Sequence, residues 1–118
     1  MLVSGKVVHG SGIGKQLRFP TANLDLKKED VELSAGVYSA LVFLFDKEYL
    51  ASLTILESPV FKFEVHLLDY IGEDFYSEIL KVQIGEKISD IIKFDNTEAL
   101  KKKIEEDLLK IKSLKKNT

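Results

Sequence analysis

The groups in this chain best suited to chemistry on phosphate stand together near its start. They lie in Gly10-Ser11-Gly12-Ile13-Gly14-Lys15-Gln16-Leu17-Arg18-Phe19-Pro20-Thr21-Ala22-Asn23. Glycines at alternate positions let backbone N–H groups turn toward an anion with no Cβ in the way. Lys15 follows as a point charge suited to phosphate. Thr21 and Asn23 add neutral oxygens of the kind Mg²⁺ accepts when phosphates bring the negative charge. On residue type alone the glycines equally describe a flexible loop, and Pro20-Thr21-Ala22-Asn23 an ordinary turn.

A second group lies on an alternating run, Phe61 to Leu68. Phe61, Phe63, Val65 and Leu67 take one face, and Lys62, Glu64, His66 and Leu68 the other. Glu64 and His66 therefore share a side. A carboxylate turned inward from such a strand can hold the proton of an alcohol nucleophile, and His66 can donate a hydrogen bond to it. The plainer reading of Glu64 is a solvated strand residue paired with Lys62 or Lys81.

The elements that must carry these groups are short. Val3 to His9 reads as a first strand ending at the glycine-rich segment, and charged Asn23 to Leu33 as a surface connection. Val37 to Phe45 is a strand with both faces largely apolar, as expected for burial on both sides. Asp46-Lys47-Glu48 reads as a turn into Tyr49 to Leu56, and Glu57-Ser58-Pro59 ends that strand. Glu78 to Ile84 and Lys87 to Ile92 read as a hairpin about Gly85-Glu86. The period then changes. Asp95, with Glu98 three residues on, predicts a helix start. Leu100, Ile104, Leu108 and Ile111 form one helical stripe, and the helix lysines a solvated face. The expectation is a mainly β domain of about six antiparallel strands and one C-terminal helix, closed as a barrel rather than packed as a sandwich.

Size and composition narrow the function. The 118 residues suit one domain, 1–118, and 45% of them are apolar, enough for a core. The formal net charge of −2 argues against a nucleic-acid partner. With no cysteine, disulfides, thiolate metal sites and a cysteine nucleophile are excluded. The longest apolar run, Ala40 to Phe45, is strand-sized, and the first residues lack the pattern of a signal peptide. A cytoplasmic, monomeric protein away from the membrane is the expectation.

In their order along the chain, several segments together resemble the riboflavin kinase family, whose domain also forms the C-terminal half of bacterial bifunctional FAD synthetase. They are Gly5-Lys6-Val7-Val8-His9-Gly10, Lys15-Gln16-Leu17, Phe19-Pro20-Thr21-Ala22-Asn23-Leu24 and Gly36-Val37-Tyr38. Glu64-Val65-His66-Leu67-Leu68-Asp69, Asp74-Phe75-Tyr76 and Lys93-Phe94-Asp95 complete the set. The resemblance implies a six-stranded Greek-key barrel with a C-terminal helix. It implies transfer of the ATP γ-phosphate to the riboflavin 5′-hydroxyl, giving FMN and ADP. Thr21 and Asn23 would serve Mg²⁺ and the ATP phosphates, and Gly10, Gly12, Gly14 and Lys15 the phosphate loop. Glu64 would be the base, and Tyr76 would lie on the adenine side.

The chain departs from the family pattern at Arg18, where a glycine is usual, and at Ile13, where an arginine is common. Ile55 to Val60 is shorter than its counterpart, and Ser89-Asp90 replaces a frequent arginine and its neighbour. A non-catalytic flavin- or nucleotide-binding relative is therefore the alternative reading. A third, an oligonucleotide-binding small barrel, requires an exposed aromatic and basic groove that the strand patterns do not offer.

Overall fold

The computed structural model describes residues 1–8, 21–58, 60–68, 78–91 and 96–116. Its elements are β1 (Leu2–Val8), β2 (Thr21–Leu24), α1 (Lys28–Val31), β3 (Gly36–Leu44), β4 (Lys47–Leu56), β5 (Lys62–Leu67), β6 (Ile79–Ser89) and α2 (Thr97–Lys116). The six strands close a barrel in the order β1-β2-β5-β4-β3-β6, every pairing antiparallel. β3, β4 and β5 follow one another as a meander. β2 lies beside β5, so β2 to β5 form the Greek key.

Strict alternation builds the core. Ala22 and Leu24 of β2, Tyr38, Ala40, Val42 and Leu44 of β3, and Ala51, Leu53 and Ile55 of β4 point into the barrel. Phe63, Val65 and Leu67 of β5 and Leu80, Val82 and Ile84 of β6 complete it. Residues of the other parity face outward, and part of that outer face is covered by α2. Leu108 and Ile111 pack there on Leu68, with Leu50, Ile88 and Ile104 at the margin. The apolar stripe of the helix thus rests on the outside of the barrel, as its spacing predicts.

Five sequence readings are corrected. Thr21 to Leu24 is a strand, where a turn and a surface connection are expected; the segment pairs, despite the turn preference of Asn23, because β1 and β5 flank it. Residues 78–91 do not form a hairpin about Gly85-Glu86. They hold a single strand, β6, whose register against β3 shifts twice, between Val37 and Tyr38 and between Tyr38 and Ala40. Such extra residues bend a strand without reversing it. Gly85 sits at one irregularity because a Cβ there would collide with the Ser39 hydroxyl, which accepts the Glu86 N–H at 3.0 Å. The six-strand count agrees with expectation, yet two of the six are composed differently.

The β3–β4 turn is Phe45-Asp46, both with positive φ (50° and 61°), and Lys47 and Glu48 already belong to β4. Two such residues give the mirror-image turn that matches strand twist. β3 is not buried on both faces throughout, since outward Phe43 is 39% exposed. The α2 cap is Asn96, not Asp95: its Oδ1 accepts the Ala99 N–H at 2.8 Å. Asn96→Ala should therefore cost about 1 kcal/mol, read as a lower urea midpoint with an unchanged slope.

Candidate functional site

β2 and β5 carry the site, and their register decides it. Asn23 pairs directly with Glu64, and Thr21 with His66. On the other side of β5, Thr54 of β4 faces Glu64 and Ser52 faces His66. Directly paired residues share a face. Asn23, Glu64, His66, Ser52 and Thr54 therefore form one polar patch, outside the barrel wall formed by Ala22, Phe63, Val65 and Leu53. Glu64 does not point into the barrel. It sits on the outer face, and is nonetheless secluded: its side chain is 13% exposed and that of His66 is 7%.

The carboxylate is tied on both sides. His66 Nε2 stands 3.2 Å from Glu64 Oε1, and the Asn23 side chain is a further hydrogen-bond partner. A carboxylate only accepts, so the Asn23 amide must present its NH₂ to Glu64. Its Oδ1 is then free to face a cation. Burial raises the Glu64 pKa, but the hydrogen bond and charge of His66, the Lys62 cation and the Asn23 amide outweigh it, and the net shift is downward. Glu64 is thus an anion at neutral pH. The other nitrogen of His66, Nδ1, is buried without a partner.

The lowered pKa has a consequence for stability. The ionised form is favoured by folding, so this contribution is full above the ordinary carboxylate value of about 4.5 and is lost as pH falls through the lower folded value. The melting-temperature advantage of wild type over Glu64→Gln should be constant from pH 7 to 5 and shrink below pH 4.5 in parallel thermal scans. A gap that widens with acid would contradict the direction of the shift.

The residues expected to bind phosphate and base, Gly10, Gly12, Gly14, Lys15 and Tyr76, lie outside the described residues. Thr21 is placed by its backbone on β2, opposite His66. Among the described residues, no three His, Cys, Asp or Glu side chains gather as a metal cage. The oxygen left available by Asn23 suits a hard divalent cation that draws its remaining ligands from phosphate and water. A cavity of about 360 Å³ lies between α2 and the outer face, lined by Leu41, Leu50, Gln83, Glu86, Ile111 and Leu114. It adjoins the polar patch on β4, where Leu50 and Ser52 lie two residues apart on one face, about 6.6 Å.

Sequence reasoning missed Ser52 and Thr54, which look like ordinary strand residues until β4 is paired with β5. It also read Lys62 only as a surface partner of Glu64.

A six-stranded closed barrel with an outer helix carries a secluded carboxylate beside an asparagine on the neighbouring strand. Comparison with known proteins makes the family specific. The sequence model of the flavokinase (riboflavin kinase) family matches residues 1–115. The chain belongs to the riboflavin kinase family. A bifunctional riboflavin kinase/FMN adenylyltransferase from Pseudomonas fluorescens is 34% identical over an alignment 118 positions long, which covers 95% of this chain and 37% of that protein. The chain spans about a third of the length of that relative. Among solved structures, riboflavin kinase from Trypanosoma brucei superposes with a TM-score of 0.70 at 26% identity, covering 96% of this chain and 78% of the other. A Streptococcus pneumoniae chain described as a macrolide-efflux protein superposes with a TM-score of 0.82 at 30% identity, covering 90% of this chain and 36% of its own length.

Proposed function

We propose that this chain phosphorylates riboflavin: it transfers the γ-phosphoryl group of ATP to the 5′-hydroxyl, giving FMN and ADP. The observation that carries the proposal is the direct cross-strand pairing of Asn23 with Glu64 between β2 and β5, beside His66 at 3.2 Å from the carboxylate. Phosphoryl transfer asks the protein for positioning, charge compensation and a proton acceptor. Glu64, held ionised and fixed in direction by His66 and Asn23, accepts the proton of the 5′-hydroxyl as its oxygen attacks. Its low pKa makes it a mild base. That suits a loose transition state, in which the proton moves late and orientation matters more than basicity. Seclusion of the patch limits competing attack by water.

Thr21 and Asn23 would hold Mg²⁺ against the ATP phosphates, where it supplies charge neutralisation. Gly10, Gly12, Gly14 and Lys15 would cradle the phosphates, and Tyr76 would flank adenine. Residues 1–118 would act as one monomeric cytoplasmic domain with ATP and riboflavin as its only partners. The net charge of −2 supports the absence of nucleic acid from that set. Among the described residues no helix is long and apolar enough to cross a membrane.

The test is direct. Purified protein with riboflavin and MgATP should yield FMN on a chromatogram, and none when Mg²⁺ is chelated. Folded protein that binds both ligands and forms no FMN would leave the non-catalytic relative as the correct reading.

A further inference from the structure

Lys62 opens β5 on the same outward face as Glu64, two residues before it, so their Cα atoms stand about 6.6 Å apart along the strand. The side chain is half-buried. Among the described residues it closes no ion pair and makes no hydrogen bond. Its partner on β4 is Leu56, and the carboxylate that follows, Glu57, is engaged by Lys28 at 3.8 Å. Glu64, on its other side, is taken up by His66 and Asn23. The Lys62 charge is nevertheless felt at Glu64, where it helps hold the carboxyl ionised. A cation and an anion on one strand face, close enough to interact and yet unjoined, leave the ammonium's donors available to a second anion. A lysine ammonium is a compact charge with three donors on a flexible stem, well matched to a phosphoryl group that moves during reaction.

We propose that the Lys62 ammonium binds the phosphoryl group in transit, beside the Glu64 carboxylate, and stabilises the charge that spreads over its equatorial oxygens. This rests on the kinase reading above and adds a catalytic cation to it. In the step, the bond from the riboflavin 5′-oxygen to phosphorus forms. The bond from phosphorus to the bridging oxygen breaks, and its electron pair leaves on ADP. The hydroxyl proton passes to Glu64, and Lys62 keeps its protons throughout.

The test compares wild type with Lys62→Met, which keeps the stem and removes the charge, and Lys62→Arg, which keeps the charge. Three quantities are read: kcat for FMN formation, affinity for the magnesium complex of β,γ-imido-ATP by calorimetry, and affinity for riboflavin by fluorescence quenching. Lys62→Met should lower kcat on the order of 10²-fold and weaken the nucleotide analogue roughly tenfold, with riboflavin affinity unchanged. Lys62→Arg should recover most of both losses. Lys62→Met that matches wild type in kcat and analogue affinity overturns the proposal, as does equal failure of the arginine variant with normal melting. If wild type binds the analogue but makes no FMN, the kinase reading falls, and the analogue titration alone decides whether Lys62 holds phosphate. Wild type that binds no analogue overturns both.

Discussion

Glutamine in place of Glu64 leaves the barrel folded while turnover falls by roughly 10²–10⁴-fold, the effect of removing a positioned base. The substitution is nearly isosteric and sits outside the core, so Phe63, Val65 and Leu67 keep their packing. What changes is proton acceptance and polarity. The glutamine oxygen still accepts from His66, but its NH₂ meets the NH₂ of Asn23, donor against donor. Asn23 would relieve the clash by turning its amide, which would commit its oxygen to the new neighbour and withdraw it from the cation proposed above. The residual activity should therefore need more Mg²⁺ for half saturation than wild type, with riboflavin KM little altered. Initial rates against Mg²⁺ for both proteins check this, and unchanged turnover would remove Glu64 from its role.

Asp107→Ala should cost the fold about 3 kcal/mol, at the lower end of what breaking a buried ion pair costs. Asp107 and Lys103 lie one turn apart on α2, their charged atoms 2.6 Å apart and their side chains 7% and 14% exposed. Ser89, at the end of β6, donates to Asp107 at 3.2 Å and accepts from Lys103 at 3.0 Å. The three tie helix to barrel. Removing the carboxylate strands an ammonium in a poorly solvated position, and for a chain of this size the melting temperature should fall by roughly 10 °C. Lys103→Met combined with Asp107→Leu should recover most of the loss, because apolar groups of similar volume carry no desolvation cost. Thermal unfolding followed by circular dichroism decides. A drop under 2 °C for Asp107→Ala would mean that the pair is effectively solvated.

The sequence makes legible what alternation and helical period encode. Phe61 to Leu68 shows by parity alone that Glu64 and His66 share a side, and the stripe from Leu100 to Ile111 shows which face of the helix is apolar. It does not say that the polar side is secluded: Glu64 lies on the outward face, yet its side chain is only 13% exposed. β2 was hidden because Pro, Thr and Asn favour turns locally, and only pairing with β1 and β5 makes Thr21 to Leu24 a strand. β6 was divided because Gly85-Glu86 has the composition of a hairpin turn, whereas the glycine admits the Ser39 side chain. Lys103 was hidden among helix lysines that look uniformly solvated, since nothing local announces that Ser89 will lie beneath it. The nearness of Asn23 to Glu64 is a tertiary fact, carried by strand order across forty residues of intervening chain.

Core and candidate site occupy alternate residues of the same six-residue strand, Lys62–Leu67. A single-codon insertion or deletion within β5 would consequently exchange the two sets, sending Glu64 among the aliphatic side chains and Phe63 to the surface. Length variation in descendants of this gene should accordingly collect in the connections between strands, and any change within β5 should come in multiples of two residues.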